Sequence, residues 1–408
     1  MKQRKRLVYA VTGVIVLLFI GIIFAWSVLS IPIAEEFTDW SKAQLSMTFT
    51  IAISCFCLGG MVGGLFHKWL STQIWLLLAG ALSLAGFLIA SRAGTPPVLY
   101  IGFGILCGLG IGIAYNIVIS AVSHWFPDQP GLISGILMMG FGFSGFAIGK
   151  LYQAWTPQTI GGWRLSFTVL GIVIGVVLQV CGFIIREPGK EFTPPAAAKK
   201  KAVHPTQDLT SSQMIRQRSF RLFYLWAVLL TACGMVILSQ ASSITMDVNA
   251  ALPQAAIATI VGMVSIFNAI GRVTLGALFD RFGSTAVIQT MNGLFFASAC
   301  LLFFALRQNN DICLITGFAA GGLGYGGIPT MNSAFASSHY GMKHYSPNFS
   351  IINTSLLIAS FGSTAAGALY DAAGSYIPTC LIMGALAIAG TGISLAIYIC
   401  DKNSNPIP

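Results

Sequence analysis

The chain has 408 residues, of which 55% are apolar and only 8% charged, with 45 glycines and a mean hydropathy of +0.79. A soluble domain carries roughly 25% charged residues, so a soluble fold is excluded and an integral membrane protein is expected. The net charge of +10 then reflects topology and contacts with anionic lipid, and needs no nucleic-acid partner.

In chain order, apolar runs fall at 7–33, 42–66, 74–91, 98–122, 131–153 and 164–185, and again at 221–243, 255–279, 284–306, 312–335, 347–370 and 374–400. Each is near the ~20 residues that cross ~30 Å of hydrocarbon as a helix, too long for the ~10-residue strands of an outer-membrane barrel. The first run follows Lys2, Arg4, Lys5 and Arg6 and exceeds the ~7–15 apolar residues of a signal peptide, so it is read as a retained helix. The expected fold is an all-α membrane protein of twelve transmembrane helices in two pseudo-symmetric six-helix bundles, 1–185 and 221–408. With an even number of spans both termini share one side. Sixteen lysines and arginines fall on that side and five on the other, which predicts cytoplasmic termini in a multi-pass protein of the inner (plasma) membrane.

Residues 186–220, rich in Pro, Lys and Ser, break the apolar rhythm and read as a cytoplasmic linker. The halves carry internal similarity: Gly63-Gly64-Leu65-Phe66 aligns with Gly276-Ala277-Leu278-Phe279 at an offset of 213, and Gly108-Leu109-Gly110 with Gly322-Leu323-Gly324 at 214. Ser123-His124-Trp125 aligns with Ser338-His339-Tyr340 at 215. The nine cysteines mostly lie within apolar runs and pack as small hydrophobes, and His67, His124, His204, His339 and His344 show no metal-ligand spacing. Gly140-Phe-Gly142-Phe-Ser-Gly145 satisfies a dinucleotide pattern but follows no strand. No cofactor, metal or catalytic constellation is expected, and the chain is not read as an enzyme.

Two halves with weak repeats suit a transporter that alternates access around a central site. Gly276-Ala-Leu-Phe-Asp280-Arg281-Phe-Gly283 resembles the G-x-L-x-D-R-x-G loop signature of the major facilitator superfamily. Its first-half copy, Gly63-Gly-Leu-Phe-His67-Lys68-Trp, has histidine where that family has aspartate. A narrower resemblance, to the oxalate/formate antiporter and monocarboxylate transporter branch, rests on Trp26-Ser27, on Trp125-Phe126-Pro127-Asp128 followed by Gly131-Leu132-Ile-Ser-Gly135, and on Arg272. The resemblance implies that Asp280 caps a neighbouring helix start and that Gly276, Asp280, Arg281 and Gly283 form a conformational latch. His67 implies a weaker or pH-sensitive latch in the first half.

Arg272 is the one charged residue of 34 that maps to the interior of a span. A charge there costs ~2.5–3.5 kcal/mol on insertion scales, and no Asp or Glu lies near the middle of any span. A guanidinium facing a water-filled cavity matches a carboxylate in bidentate fashion; the alternative is a structural arginine bonded to backbone carbonyls or a polar cluster. Asn268, at i−4, shares its face and either donates to the anion or fixes the guanidinium plane.

In the fourth span Tyr115 and Asn116 end a stretch with Gly104, Gly108 and Gly112. They point ~100° apart, so both line a cavity only at its corner. The branch resemblance adds Tyr115 and Trp26 to the substrate contacts. Tyr325 has small neighbours, and Ser350, Asn353, Ser360 and Thr364 form a polar stripe in the eleventh span. Dicarboxylate carriers of this branch have a lysine in that span; the matching position here is Leu356, so a single intramembrane cation favours a monoanion.

The resulting expectation is a secondary transporter of small organic anions, monocarboxylates of the formate, pyruvate or lactate class, working as a monomer. Its partners are the small carboxylate substrate and the lipid bilayer. Exchange is preferred over proton symport because Asp247, at an outer end, is the only acid near the path, though protons stay open as co-substrate. A transporter-like anion sensor and an exporter of hydrophobic compounds are the alternatives.

Overall fold

In hydrocarbon every backbone N–H and C=O must find its partner inside the protein, and a single helix does this locally. A computed structural model describes residues 2–40, 42–157, 159–189 and 208–404, and among them every regular element is helical. Twelve helical stretches are long and apolar enough to cross a membrane, from Arg6–Ala25, Met47–Leu65, Thr72–Ala90 and Pro96–Ser123 through Pro130–Trp155 and Trp163–Ile184. The second set is Arg218–Val248, Thr259–Phe282, Ser284–Gln308, Asp311–Tyr340, Tyr345–Ala373 and Ile377–Cys400. Each apolar run in the sequence falls on one of them. Residues 190–207 of the expected linker, with Lys199, Lys200, Lys201 and His204, lie outside the described residues.

Among the described residues, the first, fourth and eleventh spans depart from a regular α-helix. The first passes from α-helix Lys2–Ile20 into a 3₁₀ segment, Gly21–Ala25, before Trp26–Leu29 and Ile31–Glu36. The fourth starts in α-helix at Pro96–Leu99 and passes through wide π turns over Tyr100–Cys107. The eleventh is interrupted at Thr354 and again at Ser360, leaving Tyr345–Asn353, Ser355–Ala359 and Phe361–Ala373. Irregular backbone at membrane depth is tolerated where it is buried in protein or lines a cavity.

The chain forms two compact units. One is built from the described residues of Met1–Asp128, Ile136–Ala198 and His344–Ile351; the other from those of Gln129–Gly135, Lys199–Lys343 and Ile352–Pro408. Each unit therefore contains the start of one helix from the other half of the sequence.

The internal repeat is visible in backbone contacts within each unit. In the first, a Cβ at Gly59 would lie 2.2 Å from the Leu109 carbonyl oxygen, at Gly108 2.6 Å from that of Ala52, and at Gly112 2.0 Å from that of Phe56. In the second, a Cβ at Gly271 would lie 2.2 Å from the Leu323 carbonyl oxygen, at Gly322 2.8 Å from that of Val264, and at Gly326 2.1 Å from that of Asn268. The six contacts are the same three at offsets of 212 and 214. Only glycine allows two helices to approach this closely, so the second and fourth spans are seamed as the eighth and tenth are.

Carboxylates after the first span and at the end of the seventh are each held by residues at or just before the start of another span. Glu36 accepts from Trp163 Nε1 at 2.7 Å and pairs with Arg164, at the start of the sixth span. Burial pushes the Glu36 carboxyl up, but the Arg164 and Trp163 hydrogen bonds and the Arg164 charge outweigh it and leave it below the ordinary range. Asp247 accepts from the Tyr376 amide at 3.1 Å and from Ser375 Oγ at 3.3 Å, just before the twelfth span.

Candidate functional site

Arg272 lies well inside the helix Gln254–Phe282 and is 5% exposed. Its Nε donates to Asn268 Oδ1 at 2.9 Å, one turn back on the same face. This bond holds the Nε edge of the guanidinium against Asn268. The backbone around Arg272 is equally constrained: its carbonyl accepts from Thr330 Oγ1 at 3.3 Å, and a Cβ at Gly135 would lie 2.2 Å from that same oxygen.

Tyr325 reaches this region from the tenth span. Its ring sits against Gly234 of the seventh, where a Cβ would fall 1.9 Å from Tyr325 Cδ2. Its hydroxyl donates to Met235 Sδ at 3.8 Å, and it lies within electrostatic range of Arg272. Pro329, four residues on in the same helix, has no N–H to offer the Tyr325 carbonyl. Arg272, Asn268 and Tyr325 are thus brought together in one unit. Gly234 and Met235 complete the group and are not recognisable in the sequence, because neither belongs to a motif or a polar stripe.

Asn353 ends a helical segment just before the Thr354 interruption and is half-buried. Thr354 Oγ1 shares a 2.7 Å hydrogen bond with the Tyr224 hydroxyl. Leu356 lies in the short segment between the two interruptions, Ser360 is half-buried with its hydroxyl on the Leu357 carbonyl, and Thr364 is exposed.

The other unit holds the remaining candidates. Trp26 is buried, its Nε1 donates to the Leu45 carbonyl at 3.0 Å, and its ring packs on Phe103 with centroids 4.6 Å apart. Tyr115 belongs to an aromatic cluster with Phe56 at 5.1 Å, Phe141 at 4.8 Å and Phe349 at 6.1 Å. Asn116 is fully buried; its Oδ1 accepts from Ser346 Oγ at 2.7 Å, and its Nδ2 donates to the Ser346 carbonyl at 3.5 Å. Its amide therefore holds the start of the eleventh span. Ser350 is buried as well, with its hydroxyl on the Pro347 carbonyl.

The loop signature is built as a helix cap. Asp280 Oδ1 accepts from the Gly131 amide at 2.9 Å and Oδ2 from the Leu132 amide at 2.7 Å, at the start of the helix Pro130–Trp155. A carboxylate there satisfies amides that have no partner within their own helix, and meets the positive end of the helix dipole. Gly276 permits the approach, since a Cβ on it would lie 2.3 Å from the Gly131 carbonyl oxygen. Gly283 ends its helix at φ +82°, a conformation only glycine adopts at no cost, and exposed Arg281 lies over the Phe282 ring at 5.1 Å. In the first-half copy, His67 Nδ1 instead engages the Gly64 carbonyl of its own helix end at 2.8 Å. Burial pushes the His67 imidazole below the ordinary histidine range, opposed by that hydrogen bond and by Glu187.

Residues 11–362 match the family described as Major Facilitator Superfamily. The oxalate:formate antiporter of Oxalobacter formigenes is 26% identical over 347 residues, covering 84% of this chain and 80% of its own. Monocarboxylate transporter 13 of Rattus norvegicus is 22% identical over 387 residues, covering 93% and 86%. Among solved structures, the fold resembles that of a bacterial homologue of the iron transporter ferroportin in an outward-facing state, with a TM-score of 0.71 at 13% identity over 96% of this chain and 99% of that one. It also resembles the E. coli fucose:proton symporter, at 0.67, 16% identity and 97% and 98% coverage. With twelve apolar helices and transporters as its relatives, the chain is a multi-pass membrane protein and not an enzyme. It belongs to the Major Facilitator Superfamily.

Proposed function

We propose that the protein transports small organic anions, monocarboxylates of the formate, pyruvate or lactate size class, by alternating access, with the substrate carboxylate bound at Arg272. The observation that carries this reading is a buried arginine inside a span with its guanidinium plane fixed by Asn268. A pre-oriented planar fork is what bidentate carboxylate binding requires. Tyr325 offers a hydroxyl from the same unit, Asn353 borders an interrupted helix, and Trp26, Tyr115 and Asn116 are the corresponding candidates of the other unit. Relatives named for oxalate and formate exchange and for monocarboxylate transport support the substrate class. Leucine at position 356, in place of a second cation, favours one negative charge over two. Exchange is preferred over proton symport, both termini are assigned to the cytoplasm from the distribution of basic residues, and the monomer is the working unit.

Counterflow in proteoliposomes across a panel of mono- and dicarboxylates tests this directly. Arg272→Lys keeps the charge without the fork and is expected to retain partial activity with weakened affinity. Arg272→Gln is expected to lose roughly tenfold to a hundredfold, since a charged hydrogen-bonded contact is worth about 1.5–3 kcal/mol. Full activity in the Gln variant defeats the assignment of Arg272, and substrate binding without flux defeats transport itself.

A further inference from the structure

The chain just before the seventh span is fixed in place. Asp208 Oδ1 accepts from the Lys343 amide at 3.2 Å, and the Leu209 amide donates to the Tyr340 carbonyl at 3.0 Å. Thr210 and Gln213 then form a reciprocal cap for the short helix Ser211–Arg216, whose Met214 is fully buried. This segment is anchored on the end of the tenth span, and its outward side carries exposed Ile215 and Arg216.

The helix that follows continues that surface. Arg218 and Arg221 are exposed, and Leu225, 47% exposed, lies on the same stripe at i+7 and i+4. Leu225 is an exposed apolar side chain within the apolar stretch Arg218–Val248, and the two arginines continue its stripe to the start of that stretch. At 1.5 Å per residue they are ~6 and ~10 Å beyond Leu225 along the axis, a distance comparable to the depth of a headgroup layer. Arg216, Arg218 and Arg221 take no part in the ion pairs found among the described residues, such as Arg6 with Asp128 and Arg164 with Glu36.

From this geometry we infer that Arg216, Arg218 and Arg221 bind anionic phospholipid headgroups, with Ile215 and Leu225 contacting the acyl chains beside them. Guanidinium groups match phosphate oxygens in bidentate fashion, and the adjoining apolar side chains select a lipid over a soluble anion. The anchoring by Asp208, the Thr210–Gln213 cap and Met214 hold the segment in place before lipid arrives. Bound lipid would bridge the end of the linker to the seventh span.

Native mass spectrometry of the purified full-length protein, titrated with phosphatidylglycerol or phosphatidylcholine, tests this. The wild type should retain phosphatidylglycerol in preference. The combined Arg216→Gln, Arg218→Gln and Arg221→Gln variant should lose that preference by at least about tenfold, given about fivefold per basic residue near a membrane surface. The matching Arg→Lys triple should keep most of it, and Lys68→Gln, elsewhere on the surface, should behave as wild type. An unchanged phosphatidylglycerol preference in the Gln triple overturns the site. Displacement of the lipid by inorganic phosphate at equal concentration overturns the lipid in favour of a soluble-anion site. The Lys triple, which keeps the charges, guards against misfolding of the Gln triple.

Discussion

Tyr325 stands where it does because residue 234 has no side chain. A Cβ there would lie 1.9 Å from the ring, so Gly234→Ala must displace the tyrosine, in a region shared with Arg272 and Asn268. On the proposed monocarboxylate reading, the expected result is a narrowed site, with uptake of pyruvate and lactate falling several-fold more than uptake of formate, while Tyr325→Phe keeps the ring in place and lowers all three alike. A uniform loss in Gly234→Ala would remove size selection from this contact. Arg272 itself was legible from sequence because a charge inside an apolar run has so few physical explanations. Gly234 was not, because a glycine matters here only through what packs against it.

At the level of elements, the spans were legible for a related reason: lipid leaves the backbone no alternative to helix over ~20 apolar residues. The interruptions at Thr354 and Ser360 were not, since neither glycine nor proline occupies those positions and tertiary contacts such as Tyr224 with Thr354 secure them. The Asp280 cap was anticipated by resemblance, and its geometry makes it testable. Asp280→Ala leaves two amides of the Pro130–Trp155 helix without their carboxylate and should destabilise the protein by about 0.5–2 kcal/mol, with Asp280→Asn intermediate. Thermal unfolding in detergent measures this, and His67→Ala, whose side chain engages only a carbonyl of its own helix end among the bonds described, should shift the midpoint less. Equal shifts would mean that the two signature copies serve the same purpose.

Across the whole molecule, duplication preserved the scaffold and changed what it carries. The offset of 212 that matches Gly59 to Gly271 also matches Phe56 to Asn268 and Gly60 to Arg272. One half thus presents an aromatic group with Phe56 and Tyr115, the other a cation, on the same glycine-seamed frame. The repeat was legible only as three short sequence matches, since drift erased side chains and spared the backbone contacts. An uneven pair has an electrical consequence. On the proposed reading, a monocarboxylate bound at Arg272 neutralises the cation that the empty site presents. Homoexchange, which moves only the loaded form, should therefore ignore membrane potential, whereas net uptake, which needs the empty form to return, should feel up to about 2.3 kcal/mol per 100 mV. Proteoliposomes with a valinomycin-imposed potassium potential separate the two, and an exchange rate that follows voltage as steeply as net uptake would place a second moving charge in the cycle.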